Sequence, residues 1–301
     1  MLRPFVLHRP ETLAEAAGLL SEHRGEVALY AGGTELLVLL KEGLLRVPRL
    51  IDVKRVAGLG LIHAEDGSVL IGATVQHRAV EHSVLLRATC PLVANAARHV
   101  ANPRVRSVGT VGGNLAFADP HSDFATLFLA LDASVRLWGP RGPRELPLAD
   151  FIRGAYETAR EEDEILTAVR LHPWPAGTVA TYVKFGIHER PTLGVAVALT
   201  LDPGRRVLEA RIAVGCVGPR PQRIAAAEGL AGGRPLAEVL ADADTVAWTA
   251  AAAVAPVDDL HGSAEYKREM TRVFVRRALG VVGARAERQE SHARYRRAVV
   301  V

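Results

Sequence analysis

Cysteine is nearly absent from this chain of 301 residues: Cys90 and Cys216 are the only two, and no motif spacing relates them. That argues against a disulfide framework and against an iron–sulfur cluster held by this chain, which would need several thiolate ligands. Both are read as buried free thiols. Aromatic residues make up only 5%, too few for the basic, aromatic-interleaved surface of a nucleic-acid binder. No apolar run approaches the about eighteen residues of a membrane span. The stretch from Met1 to Pro10 has no long apolar core and no small-residue cleavage site, so it does not read as a signal peptide and a cytoplasmic location is expected. Lysine is scarce too: Lys41, Lys54, Lys184 and Lys267 stand among 37 basic residues. The histidines lack metal-ligand spacing, so no metal site is expected.

What is present supports real cores. The chain is 49% hydrophobic with a net charge of +4, and its length suits two domains, or one large domain with an appendage. Its positive charge comes mostly from arginine, densest between Arg285 and Arg297. This cluster reads as solvated surface or as a docking edge for a protein partner.

Apolar spacing predicts a compact β-α-β-α-β unit first. Phe5 to Leu7 is a strand, Pro10-Glu11 opens a helix, and Glu26 to Tyr30 is a second strand. Thr34 is placed to cap a helix through Leu40, and Leu50 to Val53 is a third strand. A hairpin follows at Leu61 to Ile71, then a short helix capped by Thr74 and a stronger one from Pro91 to Val100. Ser122 is placed to cap a helix through Leu131. Strands are expected at Ser134 to Trp138 and Ile165 to Leu171. The Pro/Gly-rich stretch His172 to Gly177 reads as a boundary. Beyond it come three antiparallel strands, at Val179 to Phe185, Leu193 to Leu201 and Val207 to Val217. Alanine-rich helices are expected around Pro221 to Leu230, Leu236 to Val254 and Glu265 to Leu279, and a flexible tail from residue 283.

Two Gly-Gly segments carry the chemistry: Ala31-Gly32-Gly33-Thr34-Glu35-Leu36 and Thr110-Val111-Gly112-Gly113-Asn114. Paired glycines let several main-chain N–H groups converge on one anion. Neither segment fits the Gly-x-x-x-x-Gly-Lys-[Ser/Thr] phosphate loop or the Gly-x-Gly-x-x-Gly dinucleotide fingerprint. Each alone reads equally as a tight turn. Together they suggest a split diphosphate site, aided by the start of the helix after Thr34.

The two segments, some eighty residues apart, resemble the FAD-binding medium subunit of the molybdenum hydroxylases of the carbon monoxide dehydrogenase and xanthine dehydrogenase type. Ile71-Gly72-Ala73-Thr74, Arg104 to Gly109, Asp119-Pro120-His121-Ser122-Asp123 and Tyr182-Val183-Lys184-Phe185 extend the likeness over residues 3 to 280. The resemblance implies an α+β chain. Residues 1–175 would form a two-subdomain FAD-binding fold of the PCMH/VAO type, divided near residue 55. Residues 176–282 would form a C-terminal domain with a three-stranded antiparallel sheet and a helical bundle.

It also implies which residues hold the cofactor. Leu29, Tyr30, Ala31, Gly32, Gly33, Thr34, Glu35 and Leu36, with Thr110, Val111, Gly112, Gly113 and Asn114, would wrap the FAD diphosphate. Asp123 would face the ribityl hydroxyls, and Leu166 and Lys184 would contact the cofactor. A cation such as Lys184 near the flavin would favour the anionic reduced ring. No catalytic side chain is expected, because electron transfer into flavin needs no protein nucleophile, and His121 is expected to line a loop. The [2Fe–2S] clusters and the molybdopterin cofactor would sit on a small and a large partner subunit, in a dimer of heterotrimers. Where many members carry Gly-Asp-[Tyr/Phe], this chain has Glu189-Arg190-Pro191-Thr192-Leu193-Gly194. That leaves the ring's stacking partner, and its reactivity with oxygen or NAD, open. Two rivals stand beside this reading: a self-sufficient flavin oxidase or reductase, and a nucleotide-binding module without activity.

Overall fold

The computed structural model describes residues 2–186, 190–288 and 298–301. Three sheets carry the architecture. Val6–His8, Arg49–Asp52 and Val27–Tyr30 form a parallel sheet with Arg49–Asp52 in the middle. The helix Leu13–Glu22 buries Ala16, Ala17 and Leu20 from one face, in a small core with Ile51, Val53 and Ile165. Thr12 caps it by accepting from the Glu15 N–H at 3.1 Å, so it begins two residues after the expected Pro10-Glu11 opening.

The second sheet has five strands, in the order Ile62–Glu65, Ser68–Gly72, Ile165–Leu171, Ser134–Gly139 and Gly142–Pro147. Its central strand, Ile165–Leu171, pairs antiparallel on both sides. The third sheet is also five-stranded. The three expected long strands, Thr178–Phe185, Leu193–Leu201 and Val207–Gly215, form its centre, and Gln222–Arg223 and Ala298–Val300 extend its two edges. Leu193–Leu201 is buried along almost its whole length, as a strand covered on both faces must be.

One cover of that strand is the helix Asp123–Ala130, in which all eight residues are buried. A helix buried on every side belongs inside a protein. This one packs on Leu193–Leu201 and Val207–Gly215 of the third sheet, and its Phe124, Leu127 and Phe128 share a core with Val69, Ile71 and Val169 of the second. Ser122 caps it by accepting from the Ala125 N–H at 3.1 Å. The other cover is the long helix Ala264–Ala286, capped by Ser263.

Several local expectations shift for identifiable reasons. Thr34 does not cap the helix Leu36–Glu42. Glu35 occupies that position in helical geometry without a side-chain cap. Thr74 gives way to Gln76 at the start of His77–His82. Asp242 splits the expected helix over 236–254 into Leu236–Ala241 and Ala243–Ala253. The second Gly-Gly segment is not a loop but the first turn of a helix, Val111–Phe117, capped by Thr110. The tail is ordered at its described ends. Residues 283–286 continue the long helix, and Ala298–Val300 adds a strand against Val183, Lys184 and Phe185. Arg285 donates to the main-chain oxygens of Ala180, at 2.6 Å, and Val301, at 3.1 Å. Residues 289–297, which hold most of the arginine cluster, lie outside the described residues.

Candidate functional site

Between the parallel sheet and the second sheet lies a cleft of about 690 Å³. It follows from the chain's local chemistry. The strand Val27–Tyr30 ends at its edge, and Gly32 and Gly33 turn the chain sharply there. A Cβ on Gly32 would overlap the Val108 carbonyl oxygen, and Gly33 has φ +73°, with the Tyr30 ring where a side chain would go. Opposite, Gly112 packs so closely on Ala73 that a Cβ would sit 2.5 Å from the alanine's own Cβ. These glycines allow the backbones of two walls to approach, which no larger residue permits.

The two Gly-Gly segments present different donors. The N–H groups of Gly32, Gly33, Thr34, Glu35 and Leu36 donate to no acceptor among the described residues. In the second segment most N–H groups are already used. Val111 donates to Val75 and Gly112 to Ala73, both at 2.9 Å, and Asn114 donates to the Thr110 carbonyl at 2.9 Å. Gly113 donates to Thr110 Oγ1 at 3.1 Å. The first loop is therefore an open anion cradle, and the second is a built wall.

All the residues expected at the site line the cleft except Tyr30, Val111 and Lys184. Tyr30 backs the first loop. The Lys54 ammonium lies 3.9 Å from its ring centroid and donates to the Ala31 carbonyl at 3.2 Å. Lys184 stands one layer behind Asp123, with its Nζ 2.8 Å from Asp123 Oδ2 and 2.9 Å from the His99 carbonyl. Tyr182 donates to Asp123 Oδ1 at 2.7 Å. Burial, reinforced by the Asp123 charge, raises the Tyr182 phenol well above its ordinary range, so it remains a donor. Asp123 is thus gripped from behind while it faces the cleft, and Lys184's charge is paired before it reaches the cavity. Next to it Ser122 Oγ donates to Asn114 Oδ1 at 2.6 Å.

Sequence reasoning did not assign Arg190 to the cleft. Its guanidinium reaches Glu35 at 2.9 Å and Asp119 at 2.8 Å, joining the first loop to the segment before Asp123. Burial raises the Glu35 carboxyl, and Arg190 draws it back. His121 lines the cleft as well as its loop. Its Nδ1 is 2.7 Å from the Pro191 carbonyl and its Nε2 is 3.2 Å from Asp259 Oδ2, which also meets Lys267 at 2.5 Å. The partners of Arg190 and His121 lie 70 or more residues away, so no local spacing signals them. No group of three metal-type ligands exists among the described residues, and both cysteines are buried free thiols.

Residues 3–174 match the family model described as the FAD binding domain in molybdopterin dehydrogenase. Residues 188–282 match the CO dehydrogenase flavoprotein C-terminal domain. The chain belongs to the FAD-binding medium subunits of the molybdenum hydroxylases. It is 34% identical to the carbon monoxide dehydrogenase medium chain of Hydrogenophaga pseudoflava, over 93% of this chain and 98% of the relative. It is 32% identical to a xanthine dehydrogenase FAD-binding subunit of Escherichia coli O157:H7, over 93% and 98% of the two chains. The solved carbon monoxide dehydrogenase of Hydrogenophaga pseudoflava superposes with a TM-score of 0.90 at 34% identity, covering 95% of this chain and 99% of that one. Quinoline 2-oxidoreductase from Pseudomonas putida 86 superposes at 0.89 with 27% identity and the same coverage.

As a member of this FAD-binding family the chain is an FAD-dependent oxidoreductase subunit, and its cleft fits the cofactor. Open amides at a glycine turn suit a diphosphate. A carboxylate oriented from behind suits ribityl hydroxyls. The apolar wall of Leu29, Leu36, Leu39, Ile165 and Leu166 suits flat rings.

One wall residue should make the fold acid-sensitive. His77 is buried beside Phe124, and its Nδ1 has no partner among the described residues. Burial, with Arg106 adding, pushes its pKa from 6.5 down to about 4. As pH falls below 6.5 the unfolded chain takes up a proton there that the folded chain refuses until about 4. Stability should therefore fall on acidification through that window, by roughly 3 kcal/mol in total. Urea unfolding at pH 7 and pH 4.5 should show a shallower loss for His77→Gln than for the wild type. Equal losses would assign the acid limb to other groups.

Proposed function

We propose that this chain carries electrons within a multi-subunit molybdenum hydroxylase. It would accept them from [2Fe–2S] clusters on a small partner subunit and deliver them to an external acceptor. The substrate would react at a molybdopterin centre on a large partner subunit, in a cytoplasmic dimer of heterotrimers. Among the described residues no helix is long and apolar enough to cross a membrane. FAD, when bound, supplies a ring that stores one or two electrons.

The residues divide the holding task. Residues 1–175 would bind the cofactor, and residues 176–282 would brace it. The amides of residues 32–36 would hold the diphosphate together with the Thr110–Asn114 wall. Asp123, fixed by Tyr182 and Lys184, would accept from ribityl hydroxyls. Leu29 and Leu166 would exclude water from the cofactor, and Arg190 would keep the first loop against Asp119.

The observation that carries this reading is the pairing of the cleft's acid and base groups. Glu35 and Asp119 meet Arg190, Asp123 meets Lys184, and His121 meets Asp259. Such groups position a cofactor; among the described residues none of them stands open as a general base for an organic substrate, and the unpartnered His77 Nδ1 is buried in the wall. The isolated chain should take up FAD and turn yellow, yet turn over no organic substrate, until the two partner subunits are added. Robust turnover by the chain alone would establish a self-sufficient oxidase or reductase instead. A colourless protein after FAD is supplied would leave a nucleotide-binding module.

A further inference from the structure

Three arginines line the cleft, and two have carboxylate partners. Arg24 pairs with Glu162 at 2.7 Å, and Arg190 pairs with Glu35 and Asp119. Arg160 has no carboxylate within ion-pair distance among the described residues. Its Nη1 instead donates to the main-chain oxygens of Glu161 at 2.9 Å, Glu162 at 3.4 Å and Glu164 at 2.8 Å. These three acceptors fix the guanidinium plane and leave Nε and Nη2 without an acceptor among the described residues. Burial holds the group below the ordinary arginine range despite the nearby Glu164 and Glu162 charges. A half-buried guanidinium with a fixed plane and open donors is suited to a flat, acceptor-bearing ligand.

The position of Arg160 indicates which ligand. The Arg24–Glu162 pair ties this segment to the chain just before the strand Val27–Tyr30. The open amides of residues 32–36 follow the opposite end of that strand. Three extended steps from Val27 to Tyr30 separate the two ends by about 10 Å. Arg190 bonds Glu35 in that loop and Asp119 just before Asp123, so Arg190 and Asp123 both lie at the loop end of the strand, away from Arg24. A dinucleotide held at its diphosphate by the loop would have room for one arm toward Asp123 and one along the strand.

We propose that Arg160 binds the adenosine end of the dinucleotide, offering its guanidinium face and its Nε and Nη2 donors to the purine ring. This rests on the reading that the cleft takes FAD with its ribityl chain at Asp123. Arg160 thereby selects FAD over FMN, which lacks the adenosine. Leu166, in the strand that Arg160 precedes, lines the same cavity and supplies an apolar side to this pocket.

The test uses the full chain freed of cofactor, as wild type, Arg160→Gln and Arg160→Lys, titrated with FAD and separately with FMN and followed by quenching of flavin fluorescence. Arg160→Gln should weaken FAD by about tenfold or more and leave FMN as in the wild type. Arg160→Lys should fall between, because it keeps the charge and loses the plane. FAD affinity within about twofold of wild type would overturn the proposal. So would an equal loss for both flavins, which would assign Arg160 to holding the 161–164 turn. A wild-type chain that binds neither flavin would remove the FAD reading itself, an outcome distinct from both.

Discussion

Gly32→Val should abolish FAD binding by the full chain, weakening it by about a hundredfold or more, the equivalent of roughly 3 kcal/mol. The new side chain would have to occupy the space of the Val108 carbonyl oxygen, with Gly109 Cα 2.8 Å away. Both obstacles are backbone, so no rotamer change relieves the overlap. The loop must then lift away from residues 105–109, and the amides of residues 32–36 no longer converge. Gly33→Val should act as strongly by a second route, since its φ of +73° suits glycine and the Tyr30 ring occupies the Cβ direction. Gly113→Ala is the contrasting case. Its Cβ would meet only Thr110 Oγ1, at 2.8 Å, and its φ lies outside the left-handed region. It should bind FAD within about tenfold of wild type. Equilibrium titration of the three variants decides the matter, and normal FAD affinity in Gly32→Val and Gly33→Val would refute the cradle.

Lys184→Met should destabilise the fold by about 3–5 kcal/mol, because it leaves the Asp123 carboxylate buried without its cation. The two side chains are only 10% and 5% exposed, so water does not replace the lost partner as it would at the surface. Asp123→Asn should cost a similar amount and, on the proposed reading, should also weaken FAD, whose ribityl hydroxyls would lose a charged acceptor. The double variant should cost clearly less than the sum of the two single variants, since each removes the charge that makes the other's loss costly. Urea unfolding of the four proteins measures that coupling. Single losses under about 1 kcal/mol would show that the pair behaves like an exposed one.

Much of this arrangement is legible along the chain, for reasons that are local. Ser122 ahead of Phe124, Leu127 and Leu131 announces a capped helix, because capping and amphipathic spacing act within a few residues. The Gly-Gly segments announce close backbone approach for the same reason. What stays hidden depends on partners far apart in the chain. Tyr182 reaches Asp123 across 59 residues and Arg190 reaches Glu35 across 155, and neither leaves a periodic trace. Lys184 shows the consequence. Its isolation among apolar strand residues points to a special role, but only the fold reveals that Asp123 intercepts its charge before the cleft. The second Gly-Gly segment reads like the first, yet its amides are paired, because residues 73–75 run alongside it and the sequence spacing does not show that.

That asymmetry between the two segments governs how the site tolerates change. Amides that already bond to Ala73 and Val75 cannot turn toward a different guest without unstitching the wall, so variation at residues 110–114 is tied to the integrity of the fold. The amides of residues 32–36 carry no such obligation. Thr34 in particular can be exchanged with little but the guest to answer for it, whereas Glu35 also answers to Arg190. Redesign of cofactor preference should therefore begin on one side of the cleft and leave the other untouched.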